Sequence, residues 1–444
     1  MSLFKVLEED KFVKQSEKGV SNGVAELGSY RLLKKDNLPI CDGTLAVLSG
    51  YGVLAPWQYS SLSKSAEKTD EINSWIRELQ EILVDCIQRK YQGQNVCAFQ
   101  VEEYNLDKIY FNGKNYAKPF NKNGLCVLDL GEKKTINNTT NNEKWFVKSI
   151  RKILCLPDGI TNYDNAFNPG ATNKNSLEVL CDIDMSQCTS AKNMFFYQNG
   201  LKKLDVSKWD VSKLKKADCM FASTSIKELD VSKWDVSSLE SCAGFITDVP
   251  SDVFDTSNWV APNLNPAHMF VRTKATKLDI SKLAMANIKS CASMFYTWGG
   301  PWFPDVSNRD KAIIGLDTLD TSKCTDFETM FSGLGNVTLD VSHFDMRAAT
   351  NVTDMFGVDK AGTQDVTLGE NFFDMPNITA FNLSSLSMSE NLKQSLINCF
   401  DRKTAGQPTM TIQMPTRLNS GVTALTDEEK AAIEAKGYIV KYNS

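Results

Sequence analysis

The chain has 444 residues, 42% hydrophobic and 23% charged, with a formal net charge of −5. That is enough length to bury a sizeable core in roughly two or three domains, and it excludes both the basic balance of a nucleic-acid binder and the acidity of a solvating tail. Charges in "MSLFKVLEEDKFVKQ" interrupt the apolar run of a secretory leader, and nowhere do 18 apolar residues follow one another. The chain is therefore expected to be soluble, without a cleaved export signal or membrane insertion.

Residues 1–68 read as an extended arm. The stretch "ICDGTLAVLSGYGVLAPWQYSSLSKSAEK" mixes Gly, Pro and Ser with apolar residues and must lie on something, a partner chain being one candidate. Residues 69–92 carry the strongest helix signal, "TDEINSWIRELQEILVDCIQRKY". Ile72, Leu79 and Cys86 stand seven apart, with Trp75/Ile76 and Ile82/Leu83 between them. This makes a seam of about three heptads. Ile72, Trp75, Ile76, Leu79, Ile82 and Leu83 are accordingly candidate oligomerisation residues for a dimer or trimer. Packing of the helix on its own domain explains the same stripe, since three heptads are short and Cys86 is a poor seam residue.

Residues 93–141 alternate apolar and polar residues through "NVCAFQVEEYNLDKIYFNGKNYAKPFN" and "LCVLDLG", with turn signals at Asn112-Gly113 and Asn123-Gly124. A small β-rich domain is predicted, which completes an N-terminal α+β attachment module. The polar run "LGEKKTINNTTNNEKW" separates this domain from a repetitive region.

Residues 142–395 repeat. "LDVSKWDVSKL", Leu204 to Leu214, returns as "LDVSKWDVSSL", Leu229 to Leu239. A Met-Phe pair marks each unit: Met194-Phe195, Met220-Phe221, Met269-Phe270, Met294-Phe295, Met330-Phe331 and Met355-Phe356, with Gly244-Phe245 read as the same pair and Gly in the Met place. Successive Phe positions differ by 26, 24, 25, 25, 36 and 25, a period of 25 with one insertion of 11. Trp209, Trp234 and Trp259 keep the same period, Leu283 and Phe344 take that role later, and Asp205, Asp230, Asp279 and Asp340 each open an Asp-Val/Ile-Ser triplet. A unit this short cannot bury its own apolar face, so neighbours must stack and share a core. The expected core column comprises Trp209, Phe221, Trp234, Phe245, Phe270, Phe295, Phe331 and Phe356. "LDVSKW" alternates like a short strand, and "KADCMF" or "SLESCAGF" reads as a short helical or irregular return leg. The predicted fold is an α/β repeat, a leucine-rich-repeat-like solenoid.

The pattern "LDVSKWDVSKLKKADCMF" resembles the BspA-like leucine-rich repeat of Mycoplasma-lipoprotein and Listeria-type surface proteins, with Leu204, Asp205, Val206, Ser207, Trp209, Asp210, Ser212, Leu214, Met220 and Phe221 in its key positions. Departures are Gly244 for Met, Ala284 for the second Asp, and the weak polar signature of the unit ending at Phe270. Residues 396–444 are predicted to cap the open end. In "LTDEEKAAIEAKGYIVKYN", Thr426 and Glu429 form a capping box before a helix ended by Gly437 and a strand from Tyr438 to Val440. This ending is similar to the terminal segments of repeat proteins of gut bacteria and their phages.

Catalytic signals are few. His268 and His343 lack partners at triad or ligand spacing, and there is no phosphate-binding glycine loop or Gly-x-Ser-x-Gly. No enzyme activity, cofactor or metal is expected, since the repeated Asp residues beside Ser are better explained by turn bonding than by calcium. The 12 cysteines, without a CxxC, read as small buried hydrophobes. Lys208, Lys233 and Lys282 form one column continued by His343, flanked by Asp210 and Asp235. The insertion "YTWGGPWFPDVSNRD" brings Trp298, Trp302 and Phe303 into a loop, as a candidate binding surface or as a cover for the solenoid.

These readings lead to a non-enzymatic structural and recognition protein of a phage particle, head or tail fibre-like, made in the host cytoplasm. Its N-terminal part would anchor to other virion proteins and its solenoid would touch a host surface protein or glycan. The rival expectation is an adhesin or scaffold of a bacterium or protist, cytoplasmic or at the cell surface.

Overall fold

A computed structural model of the chain describes residues 84–85, 87–101, 109–111, 114–116, 125–136, 150–169, 177–250, 254–273, 277–283, 285, 288–296, 312–334, 337–357 and 364–442. It divides into two compact units, one of Met1–Lys134, Thr139–Asp158 and Asn175–Ile183, the other of Thr135–Asn138, Gly159–Lys174 and Asp184–Ser444.

In the first unit, residues 84–85 and 87–91 are helical, and Ile87 packs in a cluster with Ala98, Leu154 and Cys155. Strands β1 (Val96–Val101), β4 (Leu125–Asp129), β5 (Ile150–Cys155) and β6 (Val179–Leu180) form one sheet in the order β4-β1-β5-β6. β1 is antiparallel to both neighbours, and β5 and β6 are parallel. Val96, Cys97, Ala98 and Phe99 are all buried, the mark of a strand covered on both faces. β2 (Ile109–Phe111) pairs antiparallel with β3 (Lys114–Tyr116).

The second unit is a β-solenoid of about nine turns with little helix. Single parallel bridges step from turn to turn through Thr135, Asn162, Ser190, Lys216, Ser241 and Asn265, and again through Ser290, Asp326 and Asn351. Beyond the bridge, each Met-Phe leg donates along the stack: Asn193 to the Asp218 carbonyl at 2.8 Å, Phe195 to Met220 at 2.9 Å and Tyr197 to Ala222 at 3.2 Å. The helical alternative for this leg is corrected. Asn165, Asn193, Cys219, His268, Ser293, Thr329 and Asp354 all have positive φ, as do Tyr197, Ser223, Asp248 and Arg272 four residues after the first of each pair. Left-handed residues break a right-handed helix, and one leg is too short to repay helix nucleation when its N–H groups can bond to the next turn.

This backbone register also reassigns Gly244. Its φ of 63° puts it in the left-handed column with Cys219 and His268, and the Phe221 amide donates to the Phe245 carbonyl as the Phe195 amide does to that of Met220. Phe245 thus fills the Met column, Ile246 the Phe column, and Gly244 supplies the conformation rather than replacing a Met. The ring stack responds: Phe195 and Phe221 lie 4° from parallel, Phe221 and Phe245 87°.

Within the second unit, among the described residues, the extended "LDVSKW" leg becomes a paired strand only in later turns. β7 (Lys277–Asp279) pairs with β8 (Ala312–Ile314) and β9 (Val337–Val341) with β10 (Gln364–Leu368), all parallel. β11 (Ala380–Asn382), β13 (Met410–Met414) and β15 (Tyr438–Tyr442) form one parallel sheet in that order, β12 (Ser387–Met388) pairs with β14 (Arg417–Leu418), and helix α1 spans Glu390–Ile397. Helix α2 (Asp427–Ala435) starts with the reciprocal Thr426 and Glu429 capping box and buries Ile433.

Candidate functional site

In a stack of near-identical turns, the side chains left for a partner are those that stacking does not use. The Asp of each Asp-x-Ser corner is used. Asp205 Oδ1 accepts from the Ser207 amide at 3.0 Å and its hydroxyl at 2.6 Å, and Asp210 with Ser212, Asp230 with Ser232, Asp279 with Ser281 and Asp320 with Ser322 repeat the pair. The Ser hydroxyl, and then the Ser amide, hold the Asp205, Asp210, Asp230 and Asp320 carboxyls below the usual carboxylate range. Among the described residues, no three of His, Cys, Asp and Glu converge as a metal-ligand group.

The aromatics are used as well. Trp234 Nε1 donates to the Val206 carbonyl at 2.9 Å and Trp259 Nε1 to Val231 at 3.0 Å, each one turn back. Their rings stack at 6.2 Å for Trp209 with Trp234 and 6.4 Å for Trp234 with Trp259. Phe221, Trp234, Phe245, Phe270, Phe295, Phe331 and Phe356 are buried, whereas Trp209, at the head of its ladder, is half-buried.

Cross-turn clamps absorb a further set. Asp164 accepts from the Ser190 hydroxyl at 2.6 Å and the Lys192 amide at 2.9 Å, and Asp218 accepts from Ser241, the Ala243 amide and the Lys192 ammonium. Arg272 meets Asp248 through two bonds at 2.9 and 2.8 Å. Desolvation nevertheless raises the Asp248 carboxyl above its ordinary range.

The thiols are interior. Cys97, Cys155, Cys181, Cys188, Cys242, Cys291, Cys324 and Cys399 are free and buried, and Cys219 is free and partly exposed. Burial pushes the Cys155 thiol up to about 11 and that of Cys188 to about 12, which keeps them protonated and unreactive. His343 Nε2 lies 2.9 Å from the Leu316 carbonyl, and His268 is one of the left-handed turn residues.

What stays outward is a column of Lys208, Lys233, Asn258 and Lys282 along the Asp-x-Ser corners, all exposed. Lys282 Nζ donates to Asn258 Oδ1 at 3.2 Å, so Asn258 joins the column where the sequence pattern breaks. The candidate loop residues Trp298, Trp302 and Phe303 and the candidate oligomerisation residues Ile72, Trp75, Ile76, Leu79, Ile82 and Leu83 lie outside the described residues. No helix among the described residues is long and apolar enough to cross a membrane.

A family described as "Mycoplasma protein of unknown function, DUF285" matches residues 161–282 and 302–401, together half of the chain. The chain belongs to the DUF285 family. The DUF285 match covers most of the stacked turns, skips residues 283–301, which include the turn of Phe295 and the start of the insertion, and fits the BspA-like resemblance of the repeat. No curated protein and no solved structure matches the chain significantly.

Proposed function

We propose that this DUF285 protein is a non-enzymatic recognition protein, whose solenoid is of the BspA-like leucine-rich type and offers its outward columns to a protein or glycan on a cell surface. The observation that carries this reading is the division of labour in the turn: repeated Asp, Ser, Trp, Phe and Cys side chains serve the stack, and a regular exposed column of Lys208, Lys233, Asn258 and Lys282 remains. Rigid scaffolds of stacked repeats use such lateral surfaces to bind. In this reading the first 140 or so residues attach the protein to its carrier, in two or three copies through the helix at 69–92.

Two carriers are distinguished by experiment. The phage reading puts the protein on a virion, attached to other virion proteins after synthesis in the host cytoplasm. The alternative, an adhesin or scaffold of a bacterium or protist, is favoured by the Mycoplasma description of the family. Gold-labelled antibody against the full chain should decorate purified particles in the first case and cells without particles in the second. Fluorescently labelled full chain should bind intact host cells, and the combined Lys208→Glu, Lys233→Glu and Lys282→Glu variant should bind at least about tenfold more weakly. Equal binding by the variant would remove the lysine column from the site, and no binding by either would remove the recognition reading.

A further inference from the structure

We infer that the solenoid contains a compliant joint between the turn of Phe270 and the turn of Phe295, set by Pro266. In five other turns, the residue after the bridge position donates its amide across the stack. Tyr163 donates to Ser190, Ala191 to Lys216, Ala217 to Ser241, Cys291 to Asp326 and Phe327 to Asn351, each at 2.8 Å. Pro266 stands in that column and has no N–H, so the corresponding bond to Ser290 cannot form. The run of bridges accordingly stops at Asn265 and resumes at Ser290, with none between these two among the described residues.

Another feature of the same turn loosens it further. The second corner, closed in other turns by Asp184, Asp210, Asp235, Asp320 or Asp345 bonding an amide two residues on, has Val260 in that place. The Met-Phe leg stays stitched across the joint, through His268 to Ala292 and Phe270 to Met294 at 2.8 Å and Arg272 to Tyr296 at 3.0 Å. One rail of this boundary is missing, so the bonds that remain, those of the Met-Phe leg and the Ala261 amide to the Leu283 carbonyl at 2.9 Å, carry the whole boundary and open together more readily than at an intact one. The joint lets the turns before and after it change their angle when a partner spans both.

Residue-resolved hydrogen exchange of the full chain and of the Pro266→Ala variant tests this. In the natural sequence, the His268 and Phe270 amides should exchange at least about tenfold faster than the Cys219 and Phe221 amides, which are bonded the same way across an intact boundary. In Pro266→Ala the restored donor should shrink that ratio. The ratio is the readout because a global change in stability moves all four amides together. Equal exchange in the natural sequence, or an unchanged ratio in the variant, would overturn the joint.

Discussion

The indole Nε1 of Trp259 donates to the carbonyl oxygen of Val231, 28 residues back in the chain and one turn along the stack, at 3.0 Å. Trp259 is fully buried, so the carbonyl has no solvent to fall back on. Trp259→Phe keeps an aromatic ring against Trp234 and removes one of two donors to that oxygen, the Trp234 amide at 3.1 Å remaining, and should cost about 1 kcal/mol. A urea titration of the full chain reads this as a lower midpoint. An unchanged midpoint would mean that the ring, and not the bond, stabilises the column.

Arg402 is a buried guanidinium that donates to the carbonyls of Phe373 (2.9 Å), Met375 (3.2 Å), Ile378 (3.1 Å) and Pro408 (2.9 Å). It ties the turn around Phe373 to the ending. Arg402→Met has similar bulk and leaves the Ile378 carbonyl without its donor, while the Phe373 and Met375 carbonyls still accept from the Met375 and Ile378 amides at 2.8 and 3.1 Å, so a loss of about 1–3 kcal/mol is expected. Limited proteolysis should cut the variant first near residues 373–378, and protection equal to the parent chain would refute the clamp.

Stability should fall on the acid side. The Asp205, Asp210, Asp230 and Asp320 carboxyls are held low by their Ser hydroxyls and amides. Their contribution is therefore complete above the unfolded pKa, near 3.8, and is lost as pH falls through the lower folded value. Melting temperature should stay level down to about pH 5 and drop below about pH 4. Asp205→Asn with Asp230→Asn keeps an acceptor for each corner and removes the titration, as Asn382 does for Ser384 at 3.0 Å, so the drop should shrink. A drop of unchanged size would assign the acid limit to other groups.

Gly315 combines a φ of 83° with a backbone neighbour: a Cβ there would sit 2.3 Å from Ser281 Cα in the preceding turn. Gly315→Ala must push two turns apart and should lower the melting temperature by several degrees, through a loss of about 2 kcal/mol or more. A shift within one degree would show that the stack yields at this point.

The period, the Trp column and the reciprocal Thr426 and Glu429 cap were legible in the residues because each rests on a fixed residue type at a fixed spacing. The Asp-x-Ser corners were legible for the same reason, as short-range bonds that need no partner turn. The left-handed column was not. Asn193, Cys219, His268, Ser293 and Thr329 share a backbone angle imposed by the stack and no chemistry. Gly244 was misplaced on that account, since a Phe one position early looked like the marker pair. Of the outward surface, the lysine column was readable and the place of Asn258 in it was not, because its membership depends on Lys282 reaching across a turn.

Bonds between turns reach one neighbour and no further, so the stack has no memory of its own length. Leu204–Leu214 and Leu229–Leu239 are nearly the same text, 25 residues apart. Losing or copying the 25 codons between them rejoins one "LDVSKW" to another in frame, with every donor still facing an acceptor. The architecture thus allows the reach of the protein to be inherited as a copy number, adjustable by slippage of a gene against itself and without a new core.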